Sequence, residues 1–420
     1  MSEPASSLRQ RRERTLGPYS PLFYSEPLHA VSASGVWITA ADGRRYLDAY
    51  NNVPCVGHGN PRVIAAAAEQ WRRLNVHTRY LNERVVEYAE RLLGTFGDGL
   101  DRVLLTNSGS ESNELALRIA RQLTGDSGVL VSDFNYHGNT RALAELTTGL
   151  TVREPLGDHV RALHIPDGRD ADVAAALAQA DAAIASLEDA GHGLSALLID
   201  PAFSNEGLPD VPREYLAGLA ERVRAAGGLV IADEVQSGFG RLGGALWGHE
   251  AVGIEPDLVT LGKPMGNGHP IGGVVTSERV LEEFGSRNMF FNTFAGNPVS
   301  SAIGLAVLQE IEDRGLVAHA ASLGEVVRER LGVLAAAHAR VKAVKGRGLF
   351  FGLELVDDAG RPDAALARRV VEGMYRRGVL ISRIGPDDNV LKIRPPLVIG
   401  REELDLLLGT LDEVLGEAAS

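Results

Sequence analysis

Two acidic residues close an apolar run, Leu229-Val230-Ile231-Ala232 being followed at once by Asp233-Glu234. A carboxylate at the end of a buried strand is costly unless a cation pairs with it, so Asp233 needs an arginine or the protonated ring nitrogen of a bound molecule. A metal ion is the competing partner. No histidine or cysteine stands at ligand spacing nearby, and no metal site is expected. A second apolar run, Leu258-Val259-Thr260-Leu261, ends in Gly262-Lys263-Pro264-Met265-Gly266-Asn267-Gly268-His269-Pro270. Burial at such a strand end lowers a lysine's pKa, and a neutral primary amine condenses with a carbonyl to an imine. Arginine cannot do this. The chain holds 42 basic residues, of which the lysines are Lys263, Lys342, Lys345 and Lys392, so each lysine is a candidate.

Two further motifs follow strand-like runs. Ser108-Gly109-Ser110-Glu111 comes just after Val103–Thr106 and has capping-box spacing, and a helix start with a glycine and two hydroxyls offers backbone N–H groups and a positive dipole end to a phosphate. Alone, it marks an ordinary capped helix. Phe134-Asn135-Tyr136-His137-Gly138 follows Gly128–Ser132, and Tyr136 there could stack on a flat ring; alone, it is a loop tyrosine.

The elements that must position these groups alternate between apolar strand-like runs and helical periodicity from about residue 60 to 300. Strands are expected at Val103–Thr106, Gly128–Ser132, Ala196–Asp200, Leu229–Ala232 and Leu258–Leu261, with helices such as Glu114–Leu123 and Val211–Ala226 between them. That order predicts an α/β fold with a mainly parallel sheet sandwiched by helices, whose loops at the strands' carboxyl ends gather ligands. A smaller α+β domain is expected from Phe350–Leu355, Val379–Ser382 and Val390–Ile393 with helices Ala364–Arg377 and Arg401–Glu417, joined by Val36–Thr39 and Tyr46–Asp48 of the opening segment. The expected division is 1–60 packing with the small domain, 61–310 as the large domain and 311–420 as the small domain.

Bulk properties narrow the class. With 420 residues, 45% hydrophobic and 23% charged, the chain has ordinary globular usage and is long for one core. A net charge of −13 opposes nucleic-acid and anionic-membrane binding. Cys55 is the single cysteine, which excludes an intrachain disulfide and suits a reducing compartment. No apolar leader or membrane-length run is seen, and a cytoplasmic location is expected.

Together these motifs resemble the class III aminotransferases, fold type I enzymes that use pyridoxal 5'-phosphate, over nearly the whole chain. The resemblance implies that Lys263 holds the cofactor as an imine and that Asp233 pairs with its ring nitrogen. It implies that Tyr136 and Val235 sandwich the ring and that Gln236 reaches the ring hydroxyl. Ser108, Gly109 and Ser110 would cradle the phosphate, with His137 and Glu206 also at the cofactor. Thr293, in Phe291-Asn292-Thr293-Phe294-Ala295-Gly296-Asn297-Pro298, would serve the partner subunit's phosphate site in a homodimer.

Further stretches are similar to a subgroup that includes alanine-glyoxylate aminotransferase 2 and the phospho-lyases of ethanolamine phosphate and phosphohydroxylysine. They include Asn75 to Leu81 and Leu391-Lys392-Ile393-Arg394-Pro395-Pro396. Many relatives that handle α-amino acids carry arginine where Lys392 stands. Lys392, Arg79 and Arg394 would form a candidate site for a phosphorylated amine, or else three structural ion pairs. The expected reaction is transfer of an amino group from a primary amine or amino acid to a keto-acid acceptor through the imine on Lys263. Elimination of phosphate and ammonia from a phospho-amine is the alternative, and cofactor binding without turnover a third reading.

Overall fold

The computed structural model describes residues 5–168 and 170–418. Its strands are, in chain order, β1 (Ala30–Ser34), β2 (Trp37–Ala40), β3 (Arg45–Asp48), β4 (Arg102–Thr106), β5 (Val129–Ser132), β6 (Val160–Leu163), β7 (Ala196–Ile199) and β8 (Leu229–Asp233). They continue with β9 (Leu258–Leu261), β10 (Gly272–Thr276), β11 (Val341–Arg347), β12 (Phe350–Leu355), β13 (Val379–Leu380), β14 (Ser382–Ile384) and β15 (Val390–Lys392).

Seven strands make the central sheet in the order β4-β10-β9-β8-β7-β5-β6. The run from β9 to β6 is parallel, while β10 pairs antiparallel with both β4 and β9. β4 therefore points the same way as β9. The carboxyl ends of β4, β5, β7, β8 and β9 consequently share one edge, which is where Asp233 and Lys263 emerge. β5, β7 and β9 are buried at every residue, which is why they read as unbroken apolar runs rather than alternating ones.

The helix Gly109–Thr124 covers one face, burying Leu115, Ala116, Ile119 and Ala120 in a core shared with Val131, Leu198 and Ile231. Truncating the fully buried Ile119 to alanine would cost about 2–5 kcal/mol. On the other face, Leu130, Leu197 and Val230 pack with Leu187, Tyr215 and Leu219 from the helices Val173–Asp189 and Arg213–Ala225.

A second sheet, β11-β12-β15-β14, is antiparallel, and a third, β1-β2-β3-β13, joins the first fifty residues to the C-terminal part through the parallel pair β3 and β13. The single strand expected at Val379–Ser382 is in fact two. Leu380 pairs with Asp48 in one sheet and Ser382 with Lys392 in another, with Ile381 between them. Among the described residues, no helix is long and apolar enough to cross a membrane.

Candidate active site

Asp233 is the last residue of β8 and only 4% exposed. Its Oδ2 accepts hydrogen bonds from Asn113 Nδ2 and from His137 Nδ1, both at 2.8 Å, and its Oδ1 accepts from the Val235 amide at 3.0 Å. Asn113 is itself fixed. It donates to the His137 carbonyl at 2.7 Å and accepts from Thr260 Oγ1 at 2.6 Å, Thr260 being the register partner of Asp233 on β9. Three donors thus offset the cost of burying the carboxylate while leaving it, among the described residues, without a lysine or arginine within 4.0 Å. Asn113 and Thr260 escaped sequence reading. The usable signal was a polar pair, Ser112-Asn113, on the same helical face as Ala116, Leu117 and Ala120.

Lys263 follows β9 by two residues, with backbone φ of +23°, a strained value for a residue with a side chain. Burial pushes its ammonium pKa down, opposed by the nearby charge of Asp233 and aided by Arg394. The strand end is tied to the Ser108 turn, since Ser112 Oγ donates to the Leu261 carbonyl at 2.9 Å and contacts Thr106 Oγ1 at 2.7 Å.

Ser108 caps the helix Gly109–Thr124, its Oγ accepting from the Glu111 amide at 3.2 Å. Glu111 reaches back to the Asn107 amide at 2.8 Å and to Asn292 at 3.3 Å, so the capping residue also anchors the loop that carries Thr293. Gly109 has no room for a side chain, for a Cβ there would lie 2.7 Å from Val235 Cγ2. The same holds at Gly138, whose Cβ would fall 2.6 Å from Ser110 Oγ. These close approaches shape a concave cleft of about 370 Å3 lined by Ser108, Gly109, Ser110, Tyr136, His137, Asp233, Val235, Gln236 and Lys263.

Asp200, just past β7, also lines the cleft although the sequence marked it only as a strand end. Burial raises its pKa, and Asp233 raises it further. Glu206 lies behind the cleft, accepting a hydrogen bond from Ser132 Oγ; burial first and Asp200 second push its pKa up to about 7. The second carboxylate of the Asp233-Glu234 pair turns away. Glu234 is fully buried and accepts from the Gly248 and His249 amides at 2.8 and 2.6 Å and pairs with His249 Nδ1 at 2.8 Å.

Lys392 and Arg394 are 6% and 5% exposed and do not line the cleft themselves, Arg394 reaching it through Gln236. Arg394 donates to Gln236 Oε1 and, at 3.1 Å, to the Tyr50 carbonyl. Both cations lean on the Phe350 ring, at 5.5 Å for Lys392 Nζ and 5.2 Å for Arg394 Cζ. Burial and the charges of Arg394 and Lys263 hold the Lys392 ammonium well below its usual range. Among the described residues, none of Lys392, Arg394 and Arg79 has a carboxylate oxygen within 4.0 Å, which removes the reading of three structural ion pairs. Arg79 sits elsewhere. It is exposed, its guanidinium 3.8 Å above the ring of Phe291, two residues from the exposed Thr293, and neither lines this chain's own cleft.

The family model for class-III aminotransferases matches residues 24–415. A Drosophila melanogaster protein named alanine–glyoxylate aminotransferase 2-like is 38% identical across 95% of this chain and 85% of its own. The Caenorhabditis elegans ethanolamine-phosphate phospho-lyase homolog 1 is 34% identical across 97% and 92%. Among solved structures, a phospholyase from Arthrobacter in complex with phosphoethanolamine superposes with a TM-score of 0.96 at 60% identity, across 97% of this chain and 99% of that one.

Proposed function

The chain belongs to the class-III aminotransferase family, fold type I enzymes that use pyridoxal phosphate, and from that premise we propose that it eliminates phosphate and ammonia from a small phosphorylated amine of the phosphoethanolamine kind. The residues present fit the cofactor. Among the described residues, Asp233 offers the cleft a carboxylate with no lysine or arginine partner and the buried His137 Nε2 lacks a hydrogen-bond partner, while the Gly109 and Gly138 approaches leave a hollow at a helix start. Ser108, Gly109 and Ser110 would hold the phosphate, Tyr136 and Val235 the ring faces, Asp233 the ring nitrogen, Gln236 the ring hydroxyl and Lys263 the aldehyde carbon. Bound there, the cofactor supplies an electron sink for the pair left when the substrate's Cα–H bond breaks.

The protein's own groups do the rest. Asp233 keeps negative charge at the cleft, held in place by Asn113, His137 and the Val235 amide. Lys263, its pKa lowered by burial, gives up its proton more readily than a free lysine and, once neutral, can take the Cα proton. Lys392 and Arg394 clamp the substrate phosphate, which departs with the electrons of its C–O bond. Water then displaces ammonia, leaving an aldehyde.

The observation that carries elimination is this buried cation pair without a carboxylate. Two basic side chains held out of water beside a cofactor site favour an anion, whose charge would offset the burial that disfavours the Lys392 ammonium, and the several oxygens of a phosphate dianion suit both. The 60% identical phospholyase supports the same reading. Transamination to a keto acid uses the same cofactor contacts and is favoured by the relatives named aminotransferase. Incubation of the purified holoprotein with phosphoethanolamine separates the two. Equal amounts of phosphate and ammonia are expected without any keto acid; amino transfer only in the presence of pyruvate or 2-oxoglutarate, with phosphate retained on the product, would sink elimination.

A homodimer belongs to the same proposal. Trp71, Leu74, Tyr80, Leu81, Met289 and Phe294 are exposed around the Arg79 and Thr293 segment, an apolar face suited to a second copy that would receive both residues in its site. The single buried thiol of Cys55 suits a reducing compartment such as the cytoplasm.

A further inference from the structure

A second cleft, of about 220 Å3, opens between the segment 201–213 after β7 and the β11–β12 hairpin. Its apolar walls include Phe203, Leu242 and Phe350, and three arginines, Arg213, Arg328 and Arg347, line it. They are held close together. Arg213 Nη2 and Arg347 Nη1 both donate to the single carbonyl of Ala251, at 2.8 and 2.9 Å, and Arg328 Nη2 donates at 2.8 Å to the carbonyl of Gly346, the neighbour of Arg347.

Among the described residues, none of the three arginines has an acidic oxygen within 4.0 Å. The remaining charged groups of the cleft are Lys345, already paired with Asp167 and Glu354, and Asp210. The three arginines are exposed at the mouth of the cleft; partial burial still depresses the pKa of Arg347, and Arg213 and Arg328 add to the effect ahead of the opposing Asp210 and Glu325. Like charges gathered in this way, in a chain of net charge −13, are relieved by an anion rather than by more protein. The cleft is too small for a nucleotide or a peptide and has the room of a small oxyanion.

We propose that this cleft is a binding site for a phosphate dianion, free or as a small monoester, separate from the main cleft and independent of which reaction the main cleft runs. Planar guanidiniums carry several N–H groups each, and each here spends only one on a carbonyl, leaving donors for three or four tetrahedral oxygens. Its placement gives it a means of being felt. Arg347 and Phe350 are register partners in the β11–β12 hairpin, and the ring of Phe350 is the surface on which Lys392 and Arg394 lean. A phosphate held by Arg347 therefore braces the wall behind the catalytic cation pair.

Equilibrium dialysis of the holoenzyme with labelled inorganic phosphate, and in parallel with glycerol 3-phosphate, tests this. Three proteins are compared: the unaltered chain, Lys392→Met, and, in that same Lys392→Met background so that the main cleft does not contribute, the double variant Arg328→Gln/Arg347→Gln. The site is expected to persist in Lys392→Met and to weaken at least about tenfold in the double variant. Tighter binding of inorganic phosphate identifies the free ion as the natural ligand, tighter binding of the ester a monoester. Unchanged binding in the double variant, or no phosphate bound by Lys392→Met, overturns the proposal. Because Lys392→Met alone carries the reading of the main cleft, failure of that reading leaves the result for this cleft intact.

Discussion

The His137 imidazole donates from Nδ1 to Asp233 at 2.8 Å, while its buried Nε2 has no partner among the described residues. The carboxylate is thereby aimed by a neighbour that came from a different strand end. Asp233→Asn keeps the shape and the contact with the Val235 amide but removes the negative charge that a bound ring nitrogen would meet. Turnover is expected to fall by about 100- to 1,000-fold, in the range for removal of one preorganised electrostatic partner. The cofactor's visible absorbance should change, while the melting temperature moves by only a few degrees. Turnover within a few-fold of the unaltered enzyme would remove Asp233 from its assigned role.

Lys392 is costly to bury, and the cost has a pH signature. Its folded-state pKa is depressed, so between that value and the ordinary lysine value of 10.5 the unfolded chain binds the extra proton. Stability from this group therefore rises with pH across that window and is lost as pH falls through the depressed value. Lys392→Met should flatten the slope and raise stability near neutral pH by about 1–3 kcal/mol, in the way that buried charges replaced by apolar groups often do. The same variant should lose turnover of phosphoethanolamine. Thermal melts from pH 6 to 10 beside a phosphate-release assay check both halves.

Much of this site was legible because a parallel sheet writes itself plainly. Apolar runs ending in Asp233 and just before Lys263 are what strands buried on both faces look like, and their carboxyl ends share an edge by topology. β10 was not legible. Gly272-Gly273-Val274-Val275-Thr276 follows a glycine-rich loop and reads as its continuation, whereas its place is fixed by backbone bonds to β4 and β9 on either side. The break at Ile381 is invisible for a similar reason, since Leu380 and Ser382 are claimed by partners hundreds of residues apart. Asn113 and Thr260 were not singled out because their partners lie far off in the chain, Asp233 for Asn113 and Asn113 for Thr260. Arg394 was singled out by its motif, but its contact with Gln236 across the fold could not be read there.

Glu206 makes the opposite pH prediction to Lys392. Its carboxyl pKa rises from 4.5 to about 7, so the folded protein holds its proton more tightly than the unfolded chain. The stability that Glu206 gives is full below 4.5 and is lost as pH climbs through about 7. Glu206→Gln keeps an acceptor for Ser132 and carries no charge, so it should match the parent near pH 4.5 and exceed it at pH 8 by about 2–3 kcal/mol. Denaturant melts at the two pH values measure this. Equal gains at both would mean that the carboxylate is not the source.

Gly109 tests the cradle itself. A Cβ at this position would stand 2.7 Å from Val235 Cγ2 and 3.2 Å from Cγ1, closer than nonbonded carbons pack. Val235 is 7% exposed, and its amide donates to Asp233, so it cannot retreat without disturbing that carboxylate. Gly109→Ala must therefore push Val235 into the cleft or lift the helix start away from it. The helix itself tolerates alanine and gains propensity, so global stability should fall by no more than about 1–3 kcal/mol, the usual cost of overpacking. Cofactor retention should suffer more, with pyridoxal phosphate lost on dialysis at least about tenfold faster than from the parent. Retention equal to the parent's, measured by absorbance during dialysis, would show that the phosphate end of the cofactor lies elsewhere.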